Sequence, residues 1–375
     1  GGDGEPARCR AGGPHRGRDG VAGSGPPGLL LQAGGLLCYR HRHPPPAPPG
    51  PLRGPGMSRR AWGAGAAGAA ALLLFPMVAP GDWVNEALFI LYFSYLGQCW
   101  NILGGYAGQA SLGHAAFFGI GAYTAAALHL HAGLSPFLGM WVGAALAAAL
   151  SLLVGVLSFR FGLRGSYFLL MTLAFAEITR LVALHLDLLG GFQGLFIPFR
   201  EDPVNFQFGS VTPYYYAALA LAAFGCVVVL GLERSRLGKA LMAIREDEDA
   251  AEALGVDAYR VKLQAFALSA ALTALGGTFY AYRILHLHPD PVLGVEQSVE
   301  IILRPIIGGS GTVAGPVVGA LLLGVLGALS RRVIPIGGYA GAQLILYGVL
   351  LVAVVLFMPQ GASPVLARRL RGSRP

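Results

Sequence analysis

Lysine is almost missing from this 375-residue chain: Lys239 and Lys262 are the only two, and neither follows a phosphate loop of the form G-x-x-x-x-G-K-[ST]. ATP binding by that route is excluded. Charge of either sign is scarce too, at 12% Asp, Glu, Lys and Arg against about 25% in soluble domains. With 54% hydrophobic residues and a mean hydropathy of +0.59, the composition is that of a membrane protein. Cysteine is limited to Cys9, Cys38, Cys99 and Cys226, without metal-ligand or redox spacing, so neither a metal site nor a disulfide is expected. Also missing are a nucleophile elbow with partner residues, an H-E-x-x-H pair and the paired carboxylates of a soluble cleft. An enzyme reading therefore has no support, and no catalytic residue is expected. The formal charge of +8 does not point to nucleic acid, because the arginines lie in short loops and at the two ends without interleaved aromatics.

What the chain does have is a series of apolar runs near the 20 residues that a transmembrane helix needs. They lie at 61–80, 84–103, 115–130, 134–158, 166–186, 213–232, 263–285, a broken stretch at 298–329, and 339–358. The expected fold is all-α: a polytopic integral membrane helical bundle with about eight to ten transmembrane helices. Arg59 and Arg60, Arg160 and Arg164, the segment 233–262 and Arg368, Arg369, Arg371 and Arg374 are expected on the cytoplasmic side, since basic residues collect there. The segments 187–212 and 286–296 are then outward, whereas Arg331 and Arg332 fit this scheme poorly. Residues 1–56 are rich in Gly, Pro and Arg without periodicity and are expected to be a disordered leader or mis-assigned upstream translation. Translation is expected to start at Met57, with a transmembrane domain over 57–361 and a basic tail over 362–375.

Two Gly-rich interruptions break the apolar pattern, GGYAGQASLGHAAFFGIGAYTAA from Gly104 and GGSGTVAGPVVGALLLG from Gly308. They share Gly-Gly, a third Gly and later Gly-Ala at similar offsets, a weak internal repeat. Interrupted helices in repeated halves line the pathways of many transporters, while small residues also serve simple close packing of helices. The pathway candidates are Gly108, Gln109, Ser111, Gly113 and His114 in the first segment and Gly308, Gly309 and Gly311 in the second. Glu177 and Arg180 share a helical face within the run 166–186. They form either a polar part of the route or a structural pair between helices. Glu300 and Arg304 pose the same choice, and Pro305 is expected to kink or end their helix.

The densest charge lies between Glu233 and Lys262, which hold 13 of the chain's 46 acidic and basic residues. Leu237, Leu241 and Ile244 recur at helical spacing, and Ala250, Ala251 and Leu254 form a second short apolar face. Gly255 suits a left-handed C-terminal cap and Asp257 the N-cap of the next helix. The segment reads as two short helices offering a small-residue face to a partner.

Four stretches carry a resemblance: 104–126, LRGSYFLLMTLAFAEITRLV from Leu163, GKALMAIREDEDAAEALGVDAYRVKLQAFALSAALTALGGTFYA from Gly238, and MPQG from Met358. In this order they resemble the LivM-type permease, the branched-chain amino acid ABC transporter permease family. The resemblance implies a multi-pass subunit of the bacterial inner membrane that pairs with a LivH-type permease, two ATPase subunits and a periplasmic substrate-binding protein. ATP and Mg would then reside on the ATPases, with no cofactor in this chain. The segment with Arg245, Glu246, Ala250, Ala251, Leu254 and Gly255 is similar to the family's coupling loop. Similar permeases are associated with urea and short-chain amides, which is one alternative solute class. An ion-coupled carrier using Glu177 and Glu300 is an alternative of another class. Arg304 and Pro305 depart from the family's apolar pattern at that place.

Overall fold

The computed structural model describes residues 59–333 and residue 348. The leader, the expected span 339–358, the MPQG stretch and the tail lie outside the described residues. The chain divides at Ala66 into Gly1–Ala66 and Ala67–Pro375, and the packing below is that of the second unit. Its helices are α1 (Arg59–Val78), α2 (Gly81–Trp100), α3 (His114–Ala132), α4 (Pro136–Arg160), α5 (Ser166–His185) and α6 (Val211–Arg234). They continue with α7 (Arg236–Glu246), α8 (Glu248–Ala253), α9 (Ala258–Ile284), α10 (Pro289–Leu293), α11 (Val295–Gly308) and α12 (Ala314–Val333). Among the described residues, five helical stretches are long and apolar enough to cross a membrane: Gly81–Tyr106, Pro136–Arg160, Ser166–His185, Val211–Arg234 and Ala258–Ile284. The protein is a polytopic helical membrane protein.

α9 sits at the centre, with 78% of its most apolar stretch buried, whereas α5 lies at the edge with 28%. Small residues let the neighbours of α9 come close, as helices do where lipid offers no hydrophobic drive. A Cβ on Gly121 of α3 would stand 2.0 Å from the Ala274 carbonyl oxygen, and one on Gly277 would stand 1.9 Å from that of Phe118. Only glycine permits α3 and α9 to cross at that distance. Polar side chains then stitch the contact: Thr278 Oγ1 donates to the Gly121 carbonyl at 3.0 Å, and from α2, Tyr95 Oη donates to the Leu272 carbonyl at 2.7 Å.

Away from the charged loop, strand β1 (Leu195–Phe196) pairs antiparallel with β2 (His286–Leu287). This brings the two segments expected to face outward to one end of the bundle. The broken stretch expected over 298–329 is resolved into α11, a turn and α12. One expectation needs correction here. α11 does not end at Pro305 but runs on to Gly308. The carbonyl that loses its helical donor at Pro305 is that of Ile301, while the Arg304 guanidinium donates to the neighbouring Glu300 carbonyl.

Candidate functional site

The two Gly-rich segments, which begin at Gly104 and Gly308, meet at the end of the bundle that carries the charged loop. α2 ends in a wide π-helical turn, Asn101–Tyr106, before the chain passes irregularly to α3. Asn101 is fully buried and joins the two breaks: its Nδ2 donates to the Thr312 carbonyl at 3.0 Å, and its Oδ1 accepts from Gly311 N at 2.8 Å. Gln98, one turn earlier, donates to the Val313 carbonyl at 2.6 Å. Backbone groups freed by a broken helix must find such partners inside a membrane.

The candidates of the first break are brought together. Gly108 holds a left-handed backbone, φ 67°. Gln109 is buried, and its side-chain oxygen has no partner among the described residues. The Ser111 carbonyl accepts from Trp100 Nε1 at 2.9 Å, and its hydroxyl accepts from Gly113 N at 3.2 Å. His114, buried at the start of α3, lies 2.9 Å from Ser269 Oγ. Because that hydroxyl already donates to the Cys99 carbonyl at 2.7 Å, His114 Nε2 is the donor. Ser298 of α11 accepts from Ala115 N at 3.0 Å and donates to the Leu112 carbonyl at 2.5 Å. Leu112 N reaches Thr172 Oγ1 at 3.1 Å.

The second break is built from glycine. A Cβ on Gly308 would stand 1.7 Å from the Gly315 carbonyl oxygen, so α11 and α12 touch backbone to backbone. Gly309 and Gly311 have φ values of 113° and 76°, which a side chain disfavours. Thr312 Oγ1 donates to the Gly309 carbonyl and accepts from Gly315 N, each at 3.0 Å.

The charged loop folds as the two expected short helices. Ser235 caps α7, Asp247 caps α8 and Asp257 caps α9, each accepting a backbone N–H at 3.0 Å. Gly255 takes a φ of 89°, and Val256 N closes onto the Ala251 carbonyl at 3.1 Å. That turn changes the expected partner face. Ala251 is buried with Ile244 and Ala258, and Val256 packs over it, because a left-handed cap folds the following residue back on the last helical turn. Ala250 is exposed, and Leu254 is 86% exposed. Glu246 is exposed as well, while Leu241 and Ile244 turn into the protein. Glu248 holds the loop in place through Lys262 Nζ at 2.5 Å and Arg164 Nε at 3.3 Å. Hydrogen bonding to Asp249 raises the Arg164 pKa further above its ordinary value.

Arg245 does not point away with Leu254. Its Nη1 donates to the Gly105 carbonyl at 2.8 Å, so one end of the loop rests on the first break.

The two charged pairs are placed apart from this cluster. Arg180 Nε donates to Glu177 Oε2 at 3.0 Å, and Nη1 reaches Asp290 of α10 at 2.5 Å. The pair therefore belongs to a bridge between α5 and the strand-bearing end. Arg304 is buried, 3.5 Å from Glu300 Oε2 and 3.5 Å from the centre of the Phe93 ring. Sequence reasoning passed over Asn101, Ser298, Thr172, Ser269, Glu248 and Asp290. A polar residue within an apolar run directly before Gly-Gly was the available signal for Asn101.

Comparison with known proteins now bears on this geometry. Residues 83–356 match the model of the family described as branched-chain amino acid transport system / permease component. The chain belongs to that family. Among its permease relatives, the high-affinity branched-chain amino acid transport system permease protein LivM of Escherichia coli is 29% identical, covering 79% of this chain and 73% of the relative. A probable LivM of Methanocaldococcus jannaschii is 25% identical over 54% of this chain and 61% of its own length. The permease protein LivH of Salmonella typhimurium is 30% identical over 39% of this chain and 44% of its own length. No solved structure matches the chain. The family match spans both breaks and the whole charged loop.

Proposed function

We propose that this chain is the membrane-spanning permease subunit of an ATP-binding cassette importer for branched-chain or related neutral amino acids in the bacterial inner membrane. It pairs with a LivH-type permease, two ATPase subunits that carry ATP and Mg, and a periplasmic substrate-binding protein. The observation that carries this reading is the two-sided loop. One side packs on the bundle through Leu241, Ile244 and Ala251, while Leu254 and Ala250 stand clear of it. A leucine left 86% exposed on a capped, salt-bridged helix is an anchor suited to a groove on another protein.

The solute route follows the two breaks, where Gly108, Gln109, Ser111, Gly113 and His114 face the segment with Gly308, Gly309 and Gly311. Backbone carbonyls and a buried amide line it, with the Arg245 guanidinium at the end nearest the loop. Glu177 with Arg180 and Glu300 with Arg304 act as structural pairs within α5 and α11, Arg180 also joining α5 to Asp290 of α10, and each charge is already matched by a partner. Arg245, Glu246, Ala250, Leu254 and Gly255 transmit the ATPase movement, and Ala251 supports them from beneath.

The test is affinity purification of the membrane complex through this chain, comparing wild type with Leu254→Arg. ATPase subunits should accompany the wild type and be lost from the variant, while the unfolding midpoints of the two chains agree. A well-folded wild type that never brings an ATPase with it would remove the proposal.

A further inference from the structure

Arg245 of the loop reaches the helix breaks, and three glycines lie against its side chain. The guanidinium donates to the Gly105 carbonyl. A Cβ on Gly108 would lie 3.1 Å from Arg245 Cγ, and a Cβ on Gly311 would lie 2.0 Å from Nη1. The arginine therefore lies along the first break and against the turn of the second. Gly105 itself is wedged between them: a Cβ there would meet Asn101 Oδ1 at 1.9 Å and Gly311 N at 2.6 Å. The Gly105 carbonyl sits at the C-terminal end of the α2 helix and its π turn, where a helix carries partial negative charge and favours a cation.

The other end of the same loop is fastened differently. Lys262 is 4% exposed and Glu248 is 11% exposed, paired at 2.5 Å, and removing one partner of such a pair strands the other. The α8 end is thus tied to α9, the central helix. The α7 end is tied to the breaks through one long side chain over glycine.

Resting on the proposed permease function, we propose that Arg245 is a positioning residue that couples the loop to both breaks at once. Held at Gly105 and Gly311, it keeps the two segments in register. Displacement of α7 by the docked ATPase withdraws it from both together, freeing the breaks to rearrange. Arg245 is exposed as a residue, but its guanidinium turns inward to the Gly105 carbonyl, and it acts on the pathway through backbone.

Two readouts on the full complex in nanodiscs test this, with Arg245→Ala and Arg245→Lys beside wild type. The first is amide hydrogen exchange, read with and without bound ATPases. In Arg245→Ala, exchange at 105–113 and 309–313 should rise together by about tenfold or more, the fold-change of losing a hydrogen bond from a charged donor. α9 should stay unchanged, and Arg245→Lys should recover part of the protection. The second is solute moved per ATP hydrolysed, which should fall about tenfold in Arg245→Ala with ATPase subunits still bound. Unchanged exchange at either break overturns the proposal, as does a loss of ATPase binding in Arg245→Ala with transport per ATP intact. If exchange responds as stated but wild type binds no ATPase, the link between loop and breaks stands and the importer reading fails.

Discussion

The first break is fastened chiefly by side-chain hydrogen bonds, whereas the second adds to the bonds of Gln98, Asn101 and Thr312 a direct backbone contact at its glycines. Between α2 and α3 the exposed backbone groups are taken up by Trp100, Ser111, Thr172 and Ser298. Between α11 and α12, glycines bring carbonyls into direct contact, and Thr312 supplies the local hydrogen bonds. Asn101 then ties the two together. The difference teaches that similar Gly-rich sequences need not be held alike: one break gains stability from polar partners, the other from close backbone approach. Away from Gly105, where the two breaks touch, a side chain added to the second, at Gly308, should therefore cost more than one added to the first, at Gly113.

The strongest way to break that comparison is an alanine pair. Gly308→Ala places a Cβ 1.7 Å from the Gly315 carbonyl oxygen, a clash with backbone that no rotamer relieves, and should lower stability by about 3 kcal/mol. Gly113→Ala meets Thr172 at 3.0 Å from an ordinary φ of −84°, and about 1 kcal/mol is expected. Thermal unfolding midpoints in one detergent rank the two; equal shifts would contradict the distinction between the breaks.

Next in size is the tie itself. Asn101→Leu removes a donor and an acceptor at once and leaves Gly311 N and Thr312 O buried without them, a loss of about 2–3 kcal/mol. Limited proteolysis should then cut near 309–313 before any other internal site. A smaller effect, about 1–2 kcal/mol, is expected for Ser298→Ala, since one hydroxyl serves two backbone groups of the first break. Its unfolding shift should fall between those of Asn101→Leu and Gly113→Ala.

The smallest effect belongs to the bridge at the far end. Arg180 and Asp290 are partly exposed, 21% and 57% of their side chains, so Asp290→Asn should shift stability by less than about 1 kcal/mol and less still in high salt. A shift as large as that of Asn101→Leu would mean that the Glu177–Arg180–Asp290 cluster, not the two breaks, is the polar centre of the protein.

The helical membrane fold was legible because apolar runs and their basic borders leave few alternatives. The loop was legible in its caps: Asp257 and Gly255 do what their side chains permit at helix ends. Ala251 was misjudged because Ala250, Ala251 and Leu254, three apolar residues within five, look like one face, while the left-handed turn at Gly255 folds Val256 over the middle one. Pro305 was expected to kink or end its helix; α11 continues to Gly308 with the proline inside it, since its packing against α2 and α12 outweighs one lost hydrogen bond. The meeting of the two breaks was not legible at all. It depends on Asn101 and Arg245 reaching segments far away in sequence, and no local spacing encodes that.

The central claim is that this chain moves an amino acid with energy supplied by separate ATPases. The most direct test is uptake of labelled leucine into proteoliposomes that hold the complete complex and its binding protein, with and without ATP, and with ionophores that collapse ion gradients. The account predicts uptake that requires ATP and the ATPase subunits and survives the ionophores. Uptake that proceeds without ATPases and disappears with the ion gradient would contradict it.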